Sequence, residues 1–255
     1  MGKLGTQSIK KSAQQLFFAL LFVPFLLNAQ QKELKVLFVG NSYTYGYNLP
    51  HIVSLMSAET STKLITRKSV IGGAYLWEHW NGDRLLETKA MIAEGDFDIV
   101  VLQDNSMSCI DYPDSTLKYV KLFAGYNSLH GAQTYLFNSW ARERVPQYQT
   151  DIDEVYSKAA EESGATRVPV GQAWKLAMEL RPTVDLFTSD GSHPNELGTL
   201  LTASVFVRVL CGELPAAIPT LYMIEDADGE TVRLMNHFPE DAVFCRRIAM
   251  QLLDK

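Results

Sequence analysis

"KVLFVGNSYTYG", residues 35–46, decides the fold. Val36, Leu37, Phe38 and Val39 form an apolar run without polar alternation, and the run stops at Gly40. An unalternating run of this length reads as a strand buried on both faces, the kind found inside a parallel sheet. "IVVL" at 99–102 has the same character. Further strands are expected at Leu64–Ile71, Thr134–Asn138 and Arg167–Val170, with the third spanning Ile99–Gln103. Helices are expected between and after them, over 49–60, 83–93, 114–129, 150–163, 171–180 and 195–210. In the fourth of these, Ile152, Val155, Ala159 and Ala160 recur at three- and four-residue steps, marking one buried face. Strands alternating with helices give a three-layer α/β/α sandwich around a mainly parallel sheet of about five strands. The tail is expected to hold a hairpin around Asp228–Gly229 and a helix over Pro239–Leu253.

The first 29 residues stand apart from this pattern. Lys3, Lys10 and Lys11, with no acidic residue among them, precede the apolar run "LFFALLFVPFLL" and then Ala29. A basic stretch, a short apolar run and a small residue at its end describe a secretory signal peptide, with cleavage after Ala29. The run falls short of the roughly 20 apolar residues that span a bilayer. The expectation is therefore an exported protein, periplasmic or extracellular, with one domain over 30–255 and no stable membrane insertion after cleavage. A formal charge of −6 gives no basic face for nucleic acid, so an uncharged or modestly polar partner is expected. Cys109, Cys211 and Cys245 have no metal-ligand spacing. Export permits a Cys211–Cys245 disulfide, and buried thiols are the competing reading.

In an open parallel sheet, function gathers at the carboxyl ends of the strands. The residues there are Gly40-Asn41-Ser42, Gly72-Gly73, Gln103-Asp104-Asn105-Ser106 and Asn138-Ser139-Trp140. Further along, "DLFTSDGSHPNELGTLLTA" at 185–203 sets Asp190 three residues before His193 in a turn that leads into a helix. A carboxylate beside an imidazole fixes its tautomer and steadies the imidazolium formed during proton transfer. Ser42 supplies a hydroxyl that such a base would activate. Asp190 and His193 taken alone also suit an ordinary capping turn. A metal site would need further ligands, and the other histidines (His51, His79, His130 and His237) form no paired spacing. "GNSYT" is not the G-x-S-x-G elbow of α/β-hydrolases.

These blocks resemble the SGNH, or GDSL-like, hydrolases, and more distantly an exported bacterial subgroup of them. "FVGNSYTYG" is similar to that family's nucleophile block, "DGSHP" to its late D-x-x-H block, and "VIGGAYL" to its second block. The resemblance spans roughly residues 35–210. It implies a nucleophile at Ser42, a base at His193 and an orienting carboxylate at Asp190, with no metal and no cofactor. It implies an oxyanion hole from the N–H groups of Ser42 and Gly73 and one side-chain amide. The third block departs from the family's G-x-N-D: "IVVLQDNSMS" offers Asn105 or Gln103 for that amide. "GNS" also stands where "GDS" is commoner. The activity implied is hydrolysis of small acyl esters, acetyl foremost, on a glycan or small molecule. A lipid-directed esterase or thioesterase, and a glycan-binding protein without activity, are the alternatives. Tyr43, Trp140 and His79 are candidate substrate contacts, each also open to a structural reading.

Overall fold

A computed structural model describes residues 1–2 and 31–253. Apart from its first two residues, the leader expected over 1–29 lies outside the described residues. Strand β1 (Lys32–Gly40) is followed by the short helix α1 (Ser42–Tyr45), helix α2 (Leu49–Ser57) and strand β2 (Thr62–Val70). Next come α3 (Leu76–Asn81), α4 (Thr88–Glu94), β3 (Ile99–Leu102), α5 (Ser108–Asp111) and α6 (Pro113–Leu129). After β4 (Gln133–Phe137) lie α7 (Tyr148–Ser163), β5 (Thr166–Val168), α8 (Val170–Leu180) and α9 (Glu196–Cys211). The strands β6 (Leu221–Glu225) and β7 (Thr231–Asn236) and helix α10 (Pro239–Leu253) complete the described chain.

The first five strands make one parallel sheet in the order β2-β1-β3-β4-β5. Side chains alternate across it, so β1 feeds both layers. Val36 and Phe38 pack with α2, α8 and α9 residues such as Ile52, Trp174 and Phe206. Leu37 and Val39 pack with Phe123 of α6 and Tyr156 of α7. Residues 36–39 are wholly buried, which is why the run carries no polar alternation. Strand order reverses on either side of β1, because β2 lies on one flank and β3 on the other. The loops after β1, β2 and β3 diverge there and open a crevice.

One difference from the sequence reading has a physical cause. The helix expected over 83–93 begins only at Thr88, as α4, because the backbone turns left-handed at Gly82, Arg84 and Leu85; α3 (Leu76–Asn81), which the sequence reading did not expect, ends before that turn. A helix cannot continue through such residues. Of the two readings kept for the cysteines, the structure has the free thiols and no Cys211–Cys245 bond: Cys245 is buried, and the Cys211 thiol donates to the Thr62 carbonyl at 3.3 Å. The hairpin forms as expected, with β6 antiparallel to β7 and Gly229 in its turn.

Candidate active site

Gly40 ends β1 where no side chain fits. A Cβ there would lie 2.5 Å from Thr44 Oγ1 and 2.6 Å from Gln103 Oε1. Asn41 then leaves the strand and caps α1, its Oδ1 accepting from the Tyr43 N–H at 3.1 Å. Its Nδ2 donates to the Ala74 carbonyl at 3.0 Å, and its backbone N–H donates to Gln103 Oε1 at 3.0 Å. One buried amide thus ties together the ends of three strands. Ser42 follows as the first residue of α1, so its N–H has no carbonyl partner within its own helix.

The block after α8 is built to present His193. Asp190 Oδ1 accepts from the backbone N–H groups of Ser192 (2.8 Å) and His193 (2.9 Å) and from the Thr188 hydroxyl (2.8 Å). Asp190 Oδ2 lies 2.5 Å from His193 Nδ1. The bond from the His193 ring, and then those from the backbone, hold the Asp190 carboxyl well below the usual carboxylate range. Ionised Asp190 keeps the proton on Nδ1, which leaves Nε2 as an acceptor. That Nε2 lies 2.8 Å from Ser42 Oγ, inside the roughly 2.6–3.2 Å required for proton transfer. Asn195 closes the block by capping α9 while its amide donates to the Asp185 and Phe187 carbonyls.

Ser42, Gly73, Asn105, Ser106, Arg142 and His193 face a groove of about 350 Å³. Gly73 adopts a left-handed φ of 70°, a conformation suited to glycine, and its N–H has no acceptor among the described residues. Asn105 Nδ2 donates to the Gly73 carbonyl at 2.9 Å, leaving its second amide hydrogen without an acceptor among the described residues. Its Oδ1 accepts from the Met107 N–H and its own N–H donates to Asp104 Oδ1. The residue is therefore fixed on both sides, and three unclaimed N–H donors border the groove.

Gln103 is corrected by the geometry. Its side chain is fully buried beneath the groove, accepting from Asn41 and the Thr44 hydroxyl and donating to the Asp104 carbonyl. It braces the turn and does not face substrate. His79 is corrected likewise: it is fully buried, with the Thr88 hydroxyl on Nδ1 (2.7 Å) and the Gly40 carbonyl on Nε2 (3.0 Å). Burial lowers its pKa to about 4, so it stays neutral and supports Gly40 from behind. Trp140 is also buried. It stacks between Tyr43 (4.6 Å) and Trp174 (3.9 Å) and donates Nε1 to the Ser192 carbonyl. Tyr43 borders the groove only by its edge, since its ring is covered and its hydroxyl meets Ser192 Oγ at 2.7 Å.

Two residues of this region escaped the sequence reading of the site. Asp104, buried, receives Leu76 N–H, Asn105 N–H, Ser108 Oγ–H and Thr116 Oγ1–H at 2.8–2.9 Å. Burial pushes its pKa up against these opposing bonds. It was visible as the one acidic residue in the strand-end sets. Arg142 lies two residues beyond Trp140, just past the β4 end, and no motif marks it.

No known family profile and no curated protein matches the sequence. Solved structures do. A protein from Slackia heliotrinireducens assigned to the SGNH hydrolases is 24% identical, with a TM-score of 0.59 over 69% of this chain and 98% of that one. A DUF4886 family protein from Bacteroides uniformis is 18% identical, with a TM-score of 0.69 over 88% and 96%. A catalytic mutant of an acetylxylan esterase from Geobacillus stearothermophilus is 15% identical, with a TM-score of 0.51 over 69% and 93%. Likeness at these identities is likeness of fold. With its five parallel strands in the order β2-β1-β3-β4-β5, this chain has the fold of the SGNH hydrolases.

Proposed function

We propose that this protein is an exported serine ester hydrolase that removes small acyl groups, acetyl foremost, from carbohydrate. The observation that carries the reading is the line Ser42 Oγ–His193 Nε2 (2.8 Å) and His193 Nδ1–Asp190 Oδ2 (2.5 Å). Ser42 Oγ attacks the ester carbonyl carbon while His193 Nε2 takes its proton. The oxyanion is received by the N–H groups of Ser42 and Gly73 and by Asn105 Nδ2. His193 then gives its proton to the departing alcohol as the carbon–oxygen bond breaks. Water attacks the acyl-enzyme, His193 takes the water proton, and that proton returns to Ser42 as the acid leaves. The net change is ester plus water to acid plus alcohol, and these residues supply every proton transfer. The chain needs neither metal nor organic cofactor for these steps.

Two features support small acyl groups on sugar. The groove is small and bordered by hydrogen-bonding groups, where a long acyl chain would want an apolar channel. Beside Gly73, Tyr75 and Trp77 stack at 3.8 Å, with Tyr112 set edge-on to both and 52% exposed. An exposed aromatic ring such as Tyr112, held by that stacked pair, suits the apolar face of a sugar ring. Export rests on the leader at 1–29, and a single hydrolase domain over 30–255 completes the reading.

The test uses p-nitrophenyl esters from acetate to octanoate, a fluorophosphonate probe and acetate release from acetylated polysaccharides. Turnover and labelling that both vanish in Ser42→Ala are expected, with acetate preferred. A preference for octanoate would favour a lipid substrate. Absence of both turnover and Ser42-dependent labelling would leave a glycan-binding protein and refute the hydrolase.

A further inference from the structure

The groove holds a guanidinium that the acyl-transfer steps do not use. Arg142 borders it alongside Ser42 and His193, and its Nη2 donates to Ser106 Oγ at 2.8 Å. That is its one polar contact among the described residues, and no carboxylate lies within 4.0 Å. Its Nε is buried without an acceptor. The setting is unusual because the chain as a whole is acidic, at −6, and surface arginines have many potential partners. A guanidinium left with a neutral hydroxyl, in a concave site, has N–H groups to spare for a ligand. Such groups bind carboxylates through paired, charge-assisted bonds.

We propose that Arg142 receives a carboxylate of the substrate, so the ester cleaved is borne by an acidic sugar such as a uronic acid. This inference rests on the ester-hydrolase reading of the same groove. Among the described residues Arg142 is the only cationic side chain lining the groove, and His193 must be neutral to act as base. A single guanidinium balances the single charge of a carboxylate, whereas a phosphate dianion would call for a second cation or a cluster of backbone donors. The hydrogen bond to Ser106 holds the guanidinium in place, and Ser106 directly follows the oxyanion donor Asn105. Docking of the carboxylate and seating of the ester carbonyl are thereby linked through one short loop. The carboxylate has two possible sources, the sugar itself or a dicarboxylic acyl group, and the first is favoured because the groove is small.

The test compares kcat/KM for an O-acetylated methyl glucuronoside, the matching O-acetylated methyl glucoside and the glucoside hemisuccinate. The glucuronoside is expected to exceed the neutral glucoside by roughly 10- to 100-fold, the range of a charge-assisted bond. Arg142→Gln should bring that ratio to about 1, and Arg142→Lys should retain part of it. Added salt should shrink it in the native protein. A merely structural role for Arg142 would lower both rates and leave their ratio alone. A native ratio near 1 overturns the proposal even if the variants fail to fold. A ratio that favours only the hemisuccinate also overturns it and moves the carboxylate to the acyl group. Calorimetric titration of methyl glucuronoside against methyl glucoside separates this inference from the reading beneath it. If no ester is cleaved but the glucuronoside alone binds, and Arg142→Gln abolishes that binding, the hydrolase reading fails and the carboxylate site stands. If no ester is cleaved and neither glycoside binds, both fail.

Discussion

Asn41→Asp installs the residue commoner at this place in the SGNH hydrolases that the stretch resembles, and here it should harm the protein. The buried Asn41 amide both gives and takes: Nδ2 donates to the Ala74 carbonyl at 3.0 Å and Oδ1 accepts from the Tyr43 N–H at 3.1 Å. A carboxylate keeps the second bond and turns an oxygen towards Ala74 O. Losing one hydrogen bond costs about 1 kcal/mol, and an unsatisfied buried acceptor adds about 1–3 kcal/mol. The destabilisation at pH 7 should be about 2–4 kcal/mol, or a fall in Tm of roughly 5–12 °C for a chain of this size. The pH dependence has a definite sign. Desolvation raises the folded pKa of the new carboxyl above its unfolded value of about 3.9. The protonated acid can donate to Ala74 O, so the deficit relative to the native protein is small below pH 4. It then grows as pH rises through the folded pKa. Urea unfolding followed by tryptophan fluorescence, for both proteins between pH 4 and pH 8, measures it. A variant within about 0.5 kcal/mol of native stability at pH 7, or a deficit that shrinks with rising pH, would refute the reasoning.

The two candidate amides of the third block should separate cleanly. Asn105→Ala is expected to lower kcat by roughly 10²–10³ with little change in the unfolding midpoint. Gln103→Ala should chiefly cost stability, about 1–3 kcal/mol, because it orphans the Asn41 N–H and the Thr44 hydroxyl. Comparable kcat losses from both would contradict the assignment. His79, with a folded pKa of about 4, binds its proton later than the unfolded chain does as pH falls. It should therefore remove about 3 kcal/mol of stability progressively between pH 6.5 and pH 4, and His79→Gln should flatten that part of the profile. Asp104→Ala removes the acceptor for four donors and should cost at least about 3 kcal/mol. It should also lower kcat by loosening Asn105, which stopped-flow turnover and denaturant titration would show together.

Much of this is legible in the sequence because the informative residues are governed locally. Val36–Val39 are buried on both faces and so show no polar alternation. Asp190 and His193 sit three apart in a turn whose own backbone aims them, so their spacing carried the geometry. What the sequence concealed depends on direction. Gln103 and Asn105 are two residues apart with the same functional group, and only the bend after β3 sends one under the groove and the other into it. Trp140 lies just beyond β4 beside the site, yet the stack on Trp174 turns its ring into the core. Arg142 reaches the groove through a loop of no regular structure, which no periodicity encodes. The late start of the helix expected over 83–93 follows from left-handed backbone at Arg84 and Leu85, residues whose chemistry gives no warning of it.

The aromatic stack has an optical consequence. Trp140 and Trp174 lie nearly parallel, 6° apart in plane with ring centres at 3.9 Å, and indoles that close share their excited states. One of the pair is hydrogen-bonded at Nε1 to the Ser192 carbonyl, immediately before His193. The docking of the histidine-bearing loop is thus written into a circular-dichroism signal that needs neither substrate nor label. Release of that loop would rotate or free Trp140 and change the signal while the helices, and the far-ultraviolet spectrum they dominate, stayed the same.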